Sequence, residues 1–411
     1  MRDVFIIGTG MTPFGKHKDK GCAELARMAV SEALKDAGVS PDGIESSFYA
    51  NTAQGAIEGQ YGIKGQLALR PLGIERSPFV NIENACCGSS AALFLAWTQV
   101  AGGFADVALA VGTEKLYTED REKKLAVFNQ KEDTKSVSDF VATYMPTVAD
   151  VQPPPEAVID EKLRSIFMDA YAINARAHMR KYGTTWRQIA AVSAKNHHHS
   201  TMNPLSQFQN EIPLEEVLKA RIIAWPLTLP MCAPVSDGAA ATIICSENVL
   251  RRFTGQPVKI RASVLKSGSD HEFGDYEKSA CRLTAVEAFK RAGLTPADIN
   301  VAEVHDGSAF AEISQIELTG LCAPGAGGKL AESGGTALGG RIPVNVSGGL
   351  ESKGHPIAAT GLAQVHELVL QLRGTAGKRT VEKARFGMAV NGGGFIGVEE
   401  AVSCITILER V

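Results

Sequence analysis

Apolar and polar positions change period repeatedly along the chain. Short apolar runs bounded by glycine, proline or asparagine predict strands at 3–9, 45–50, 79–83, 106–112 and 239–245. A second set is predicted at 258–265, 300–304, 342–346, 385–391 and 401–408. Stretches with apolar residues three and four apart predict helices at 22–37, 60–69, 86–102, 280–292, 309–320 and 356–373. Helices alternating with short apolar strands indicate an α/β fold, layered around largely buried sheets.

The pattern also repeats. Residues 33–51 read ALKDAGVSPDGIESSFYAN and residues 288–306 read AFKRAGLTPADINVAEVHD. Ala33, Lys35, Ala37, Gly38, Pro41 and Ile44 match Ala288, Lys290, Ala292, Gly293, Pro296 and Ile299 at one constant offset. Each copy reads as a helix closed by glycine, a loop with proline, then a strand. Val80-Asn81-Ile82 echoes Val344-Asn345-Val346, and ALAVGT at 108–113 echoes GMAVNG at 387–392. Echoes in the same order predict two copies of one α/β unit. Residues 115–232 have no counterpart in the second copy. The expected organisation is therefore a first half at 1–114 and 233–256, an inserted loop or lid domain at 115–232, and a second half at 257–411. The insertion holds a proline loop at 151–158 followed by charged helical sequence, and insertions of this kind commonly carry binding residues.

Composition narrows the class. Of 411 residues, 45% are hydrophobic and 21% charged, which excludes disordered and collagen-like chains. With 42 basic against 45 acidic residues and no basic stripe, nucleic acid is not an expected partner. The eight cysteines form no CxxC pair, so neither a disulfide scaffold nor a structural zinc site is indicated, and a reducing, cytoplasmic setting is expected. MRDVFIIGTGMTPFG reads as a strand and a glycine turn rather than a signal peptide. Asn84 to Ala105 carries no formal charge, yet its Asn, Gln, Thr, Ser and Gly residues suit a helix buried in protein rather than a membrane span.

The residues able to carry chemistry fall at element ends. Asn84-Ala85-Cys86-Cys87-Gly88-Ser89-Ser90 follows a strand and opens an apolar helix, where free N–H groups favour a thiolate. The same cysteines could equally be small buried hydrophobes. Ser352-Lys353-Gly354-His355-Pro356 occupies the matching place in the second copy, so His355 and the cysteine pair are expected at the same end of neighbouring sheets, as base and nucleophile. Val304-His305-Asp306-Gly307-Ser308 also joins a strand to a helix. Asn391-Gly392-Gly393-Gly394 presents backbone N–H groups suited to an oxyanion hole. His197-His198-His199 looks like a metal cluster, but three consecutive side chains diverge and no ligand partner is adjacent, so no metal is expected. Ser236-Asp237-Gly238 reads as a structural turn.

Cys, His-Asp, Gly-His-Pro and Asn-Gly-Gly-Gly, in that order on a duplicated α/β unit, resemble the thiolase superfamily, and the sterol-carrier-protein type of thiolase in particular. AKNHHHSTMNP, SDGAAA, SGGLESKGHPIAATGLAQ and LVLQLRGTAGKR carry the resemblance over essentially the whole chain. It implies a duplicated, five-layered αβαβα thiolase fold and a homodimer. It also implies CoA-dependent cleavage of a 3-ketoacyl-CoA through an acyl-cysteine, with coenzyme A as co-substrate and no bound cofactor. In the family the nucleophile precedes by six residues a helical alanine; that alanine is Ala92, so the role falls on Cys86 rather than Cys87. His355 would take the thiol proton, His305 would hold an oxyanion-hole water, and the backbone N–H groups of Cys86 and Gly393 would form a second oxyanion hole.

One family part is absent. The second catalytic cysteine of most thiolases falls at Asn391, and that of the sterol-carrier branch at Gly307; neither replacement titrates. Relatives lacking it often work with a small zinc-ribbon/OB-fold partner protein on unusual acyl-CoAs, benzoylsuccinyl-CoA among them. A retro-aldol lyase of acyl-CoA side chains, a condensing synthase and a non-catalytic scaffold are the competing readings.

Overall fold

The computed structural model describes residues 1–128, 131–155, 157, 165–253 and 255–411. The first copy holds β1 (Val4–Met11), α1 (Cys22–Ala37), β2 (Ser46–Ala50), β3 (Phe79–Ile82), α2 (Gly88–Ala101) and β4 (Val107–Glu114). Then come α3 (Ile166–Tyr182), α4 (Trp186–Ser200) and β5 (Gly238–Ser246). The second copy holds β6 (Val258–Ser267), α5 (Ala280–Ala292), β7 (Val301–Glu303), α6 (Ala309–Leu318), α7 (Thr360–Arg373), β8 (Phe386–Gly393) and β9 (Val402–Arg410).

Strand order is β3-β2-β4-β5-β1-β6-β9-β8-β7. Read outward from the centre, β1, β5, β4, β2 and β3 correspond to β6, β9, β8, β7 and a single parallel bridge between Ala302 and Val344. Strand directions correspond as well. β2 runs parallel to β3 and β4, and β5 antiparallel to β4 and β1. Likewise β7 runs parallel to β8, and β9 antiparallel to β8 and β6. The halves join where β1 meets β6 through two residue pairs, Phe5–Lys259 and Ile6–Val258. The repeat persists in local geometry: α1 ends at Gly38 (φ 64°) and α5 at Gly293 (φ 66°), left-handed positions that favour glycine, and a proline-led turn follows each.

Three apolar cores make five layers. α1 covers the outer face of the first half-sheet, with Leu25 and Val30 against Ile7 and Ile243. α5 and α6 cover the outer face of the second, with Phe289 and Ile316 against Met388 and Ile405. Between the half-sheets lie α2 and α7, whose Leu93, Ala96, Leu362 and Leu368 pack in one core with Ala240, Val301 and Ala389. A helix buried over most of its surface is apolar over most of it, which accounts for the uncharged stretch 84–105, with Thr98 on its exposed side. Among the described residues no helix is long and apolar enough to cross a membrane.

Two expected elements are shorter than the pattern implied. The strand at 342–346 is reduced to the bridge at Val344, because Asn345 turns left-handed (φ 54°) and its side-chain oxygen accepts from the Val304 N–H at 2.8 Å. The helix at 60–69 starts only at Lys64, behind the left-handed Gly59 and Ile63. In the segment 115–232, helices span Arg121–Phe128 and Lys131–Tyr144 before α3 and α4. Residues 156 and 158–164, the end of the expected proline loop and the start of the charged helical sequence, lie outside the described residues.

Candidate active site

The chain leaves β3, passes through a short turn at Ala85–Cys87 and enters α2. Ala85 takes a left-handed conformation (φ 45°) unusual for a residue with a side chain. The turn sends its two cysteines in opposite directions. Cys86 is half-buried at the wall of a cavity of about 800 Å³. Cys87 is fully buried, packs with Val402 and Cys404, and donates its S–H to the Asn391 carbonyl at 3.4 Å; burial raises its thiol well above the ordinary range.

His355 reaches the same cavity from the loop before α7, its Nε2 3.3 Å from Cys86 Sγ. Its backbone N–H donates to Ser236 Oγ at 3.0 Å, so the turn read as structural also seats the histidine. On the far side of the ring, Nδ1 lies 2.7 Å from Thr360 Oγ1, and Thr360 donates its own proton to the Pro356 carbonyl at 3.2 Å. With the threonine proton so placed, Nδ1–H is the donor and Nε2 offers its lone pair to the thiol. Burial, reinforced by the neighbouring His305, holds His355 well below the ordinary histidine pKa, so the ring is neutral and its Nε2 lone pair is free.

His305 stands edge-on to His355, with ring centroids 5.1 Å apart. Its Nδ1 accepts from the Asn391 side-chain amide at 2.8 Å, while Asn391 Oδ1 accepts from Ser90 Oγ at 2.9 Å. This tautomer places a proton on Nε2, so the ring can donate a hydrogen bond. Burial lowers its pKa to about 4. Asn391 thus sets the tautomer of His305. Gly393 packs on the cysteine turn so tightly that a Cβ would lie 2.6 Å from the Asn84 carbonyl oxygen and 2.7 Å from the Cys87 nitrogen. Cys86, His305 and Gly393 all line the cavity.

The ligating atoms of Cys86, His305 and His355 lie within 4.8 Å of one another, a set whose ligand types also suit zinc. The histidine run at 197–199 is engaged elsewhere. His199 donates to the Asn345 carbonyl at 3.0 Å and accepts the Leu338 N–H at 3.1 Å, and burial drives its pKa to about 3. His197 meets Ser352 Oγ at 3.1 Å, and His198 faces Glu211 on the surface.

The cavity walls are largely apolar. Met168 and Tyr171 come from α3, Phe310 from α6, and Phe273 and Phe395 from loops; the last two contact Phe140 at ring distances of 5.5 and 5.0 Å. Thr360, Ser90, Tyr171 and Glu400 were not foreseen as site residues. Thr360 lies within the Gly-His-Pro segment, five residues beyond His355, and that spacing was the one signal available.

The family models agree with this architecture. The thiolase N-terminal domain matches residues 4–221, and a thiolase C-terminal domain-like model matches residues 262–410. An acetyl-CoA acetyltransferase of Methanothermobacter thermautotrophicus is 36% identical over 401 residues, covering 96% of this chain and 97% of its own. The benzoylsuccinyl-CoA thiolase subunit BbsB of Thauera aromatica is 33% identical over 403 residues, 96% of this chain and 95% of its own. Human sterol carrier protein 2 is 35% identical over 402 residues, 95% of this chain and 70% of its own. Among solved structures, the Ltp2-ChsH2(DUF35) aldolase superposes with a TM-score of 0.77 at 23% identity, covering 99% of this chain and 98% of the other. Human mitochondrial 3-ketoacyl-CoA thiolase superposes at 0.69 and 19% identity, covering 100% and 99%. With both halves matched and relatives above 30% identity along nearly the whole length, the chain belongs to the thiolase family of acyltransferases.

Proposed function

We propose that the chain cleaves a 3-ketoacyl-CoA with coenzyme A, through an acyl group held on Cys86. The observation that carries this reading is the 3.3 Å approach of His355 Nε2 to Cys86 Sγ at the wall of the cavity. His355 takes the thiol proton, and the thiolate adds to the 3-keto carbon. The developing oxyanion is met by the Nε2–H of His305 or by the backbone N–H groups of Cys86 and Gly393. The C2–C3 bond then breaks, its electron pair stays on the shorter acyl-CoA as an enolate, and C2 takes up a proton. A second coenzyme A loses its thiol proton, attacks the Cys86 thioester and frees the sulfur.

The acyl group is aromatic or otherwise bulky in this reading, supported by the volume of the cavity and by Phe273, Phe310 and Phe395 in its walls. Such a substrate suits the degradation of aromatic or lipid chains. We assign the segment 115–232 to shaping the acyl site, since α3 contributes Met168 and Tyr171, between halves at 1–114 with 233–256 and at 257–411. A homodimer belongs to the proposal: edge strand β3 leaves Val80 exposed, with Tyr61, Ile63 and Leu67 exposed in the preceding segment. So does a small partner chain, in keeping with a relative that is named as a subunit. A retro-aldol cleavage needs no acyl-cysteine and would leave the Cys86–His355 pair without a task.

Intact-mass spectrometry with a panel of acyl-CoAs tests the reading. The parent and Cys87→Ala should gain an acyl adduct and Cys86→Ala should not. Absence of any adduct on the parent, or an adduct mapping to Cys87, overturns it.

A further inference from the structure

The proposed cleavage needs a group that gives a proton to C2 of the leaving enolate and takes one from coenzyme A. Family placement of a second cysteine fails at Asn391 and Gly307, and the structure shows what fills the space beside both places. A Cβ on Gly392, next to Asn391, would lie 2.1 Å from Glu400 Cδ and Oε1. A Cβ on Gly307 would lie 2.7 Å from the Tyr171 hydroxyl. Neither glycine can accept a side chain unless the carboxyl or the phenol moves.

We propose that Glu400 is the acid–base catalyst of this enzyme, standing in for the absent cysteine; the proposal rests on the acyl-cysteine reading above. Glu400 lies two residues before the start of β9 and against β8 beside Gly392, one residue from Gly393. It lines the same cavity as Cys86 and His355. Its Oε1 accepts from Gln315 Nε2 at 3.3 Å, and Gln315 Oε1 in turn accepts the His305 backbone N–H at 2.7 Å. One glutamine of α6 therefore fixes both the carboxyl and the oxyanion-binding histidine.

Burial raises this carboxyl to about 7; neighbouring Glu399 adds to the shift and the Gln315 hydrogen bond opposes it. The groups facing it are Glu399 on its own segment, Gln315 on α6, Tyr171 on α3, Cys281 on α5 and Cys87 in the turn before α2. Burial, then the Glu400 charge, pushes Tyr171 well above the ordinary phenol range. Burial likewise raises Cys87 and Cys281 far above neutrality. Among these neighbours Glu400 is the one whose shift brings it toward working pH, where an acid–base catalyst is most effective.

In the cleavage direction the protonated carboxyl gives its proton to C2 as the C2–C3 electron pair becomes the enolate, leaving a carboxylate. The carboxylate then takes the thiol proton of coenzyme A as its sulfur attacks the Cys86 thioester, which restores the acid. The same carboxylate, run in reverse, removes an α-proton from a short acyl-CoA.

That reverse step supplies the test. Deuterium exchange from D₂O into the α-carbon of acetyl-CoA and of succinyl-CoA is followed by mass spectrometry for the parent, Glu400→Gln and Glu400→Asp. Alkylation of Cys86 by iodoacetamide reports the integrity of the site. Parent exchange should rise with pH through about 7 as Glu400 loses its proton. Glu400→Gln should slow exchange by about 10²–10⁴-fold and abolish that limb, with alkylation within about threefold of the parent. Exchange within tenfold of the parent, or the same limb retained, overturns the proposal and points to another base. If Glu400→Gln also loses alkylation, Glu400→Asp decides: slowed exchange with the limb kept supports the role, and parent-like exchange overturns it. A parent that forms no acyl adduct on Cys86 refutes the cleavage reading separately, whatever the exchange result.

Discussion

Replacing Thr360 with alanine isolates the contact that orients the base. In the parent, the Thr360 hydroxyl accepts from His355 Nδ1–H at 2.7 Å, and Nε2 is left to accept the Cys86 proton across 3.3 Å. Thr360 is fully buried, so no water replaces the lost oxygen without cost. An unsatisfied buried donor costs about 1–3 kcal/mol. The ring relieves it by moving its proton to Nε2, which removes the lone pair that faces the sulfur. If acylation follows the population of the productive tautomer, its rate falls roughly 5- to 150-fold, since about 1.4 kcal/mol is a factor of ten. The assay is quenched-flow acylation of Cys86 from an acyl-CoA, read by intact mass, with denaturant unfolding as a control for the lost core atoms. Thr360→Ser, which keeps the hydroxyl, should return within about threefold of the parent. An alanine variant that acylates at the parent rate would refute the assignment of Nδ1 to Thr360 and, with it, the derivation of Nε2 as the base.

Gly112→Ala probes the join between the starts of α2 and α7: a Cβ there would lie 2.2 Å from the Ala358 carbonyl oxygen and 2.5 Å from Ser89 Cβ. Stability should fall by about 1–3 kcal/mol, and Cys86 alkylation should slow because the cysteine and histidine turns are forced apart; unchanged alkylation would show that the two turns shift together. His199→Gln tests acid sensitivity. The buried neutral ring, with a pKa of about 3, binds no proton near pH 5, whereas the unfolded chain's histidine does, so this group favours the folded state near neutrality and the benefit is lost as pH falls below about 6.5. Between pH 6 and 4 the parent should lose roughly 1.4 kcal/mol per pH unit more than the variant; parallel stability curves would contradict the buried neutral ring.

Cys86 and His355 were legible because each sits at the same strand-to-helix join of a repeated unit, and the repeat is written in the pairs Gly38/Gly293 and Pro41/Pro296. Local sequence also separated helix from strand along most of the chain. It could not show that Asn345 would break its strand, because that depends on a bond to Val304 across the sheet. Nor could it single out Glu400, one of two adjacent glutamates in a loop, since its character comes from burial against Gly392 and Gln315. The direction in which each cysteine points was equally hidden, being set by the left-handed turn at Ala85.

Strand β5 lies between β4 and β1 in the sheet, yet the chain reaches it only after residues 115–232. During synthesis β1 and β4 are therefore complete while the strand that joins them does not exist. At about 5–20 residues per second the delay is roughly 6–24 seconds. Throughout it β4 presents an unpaired edge, and β1, whose partners are β5 and β6, has no partner at all. Exposed apolar strand edges invite pairing with other chains. The nascent first half therefore keeps these edges exposed until residue 246 has emerged, and slowing translation across the insertion lengthens that exposure.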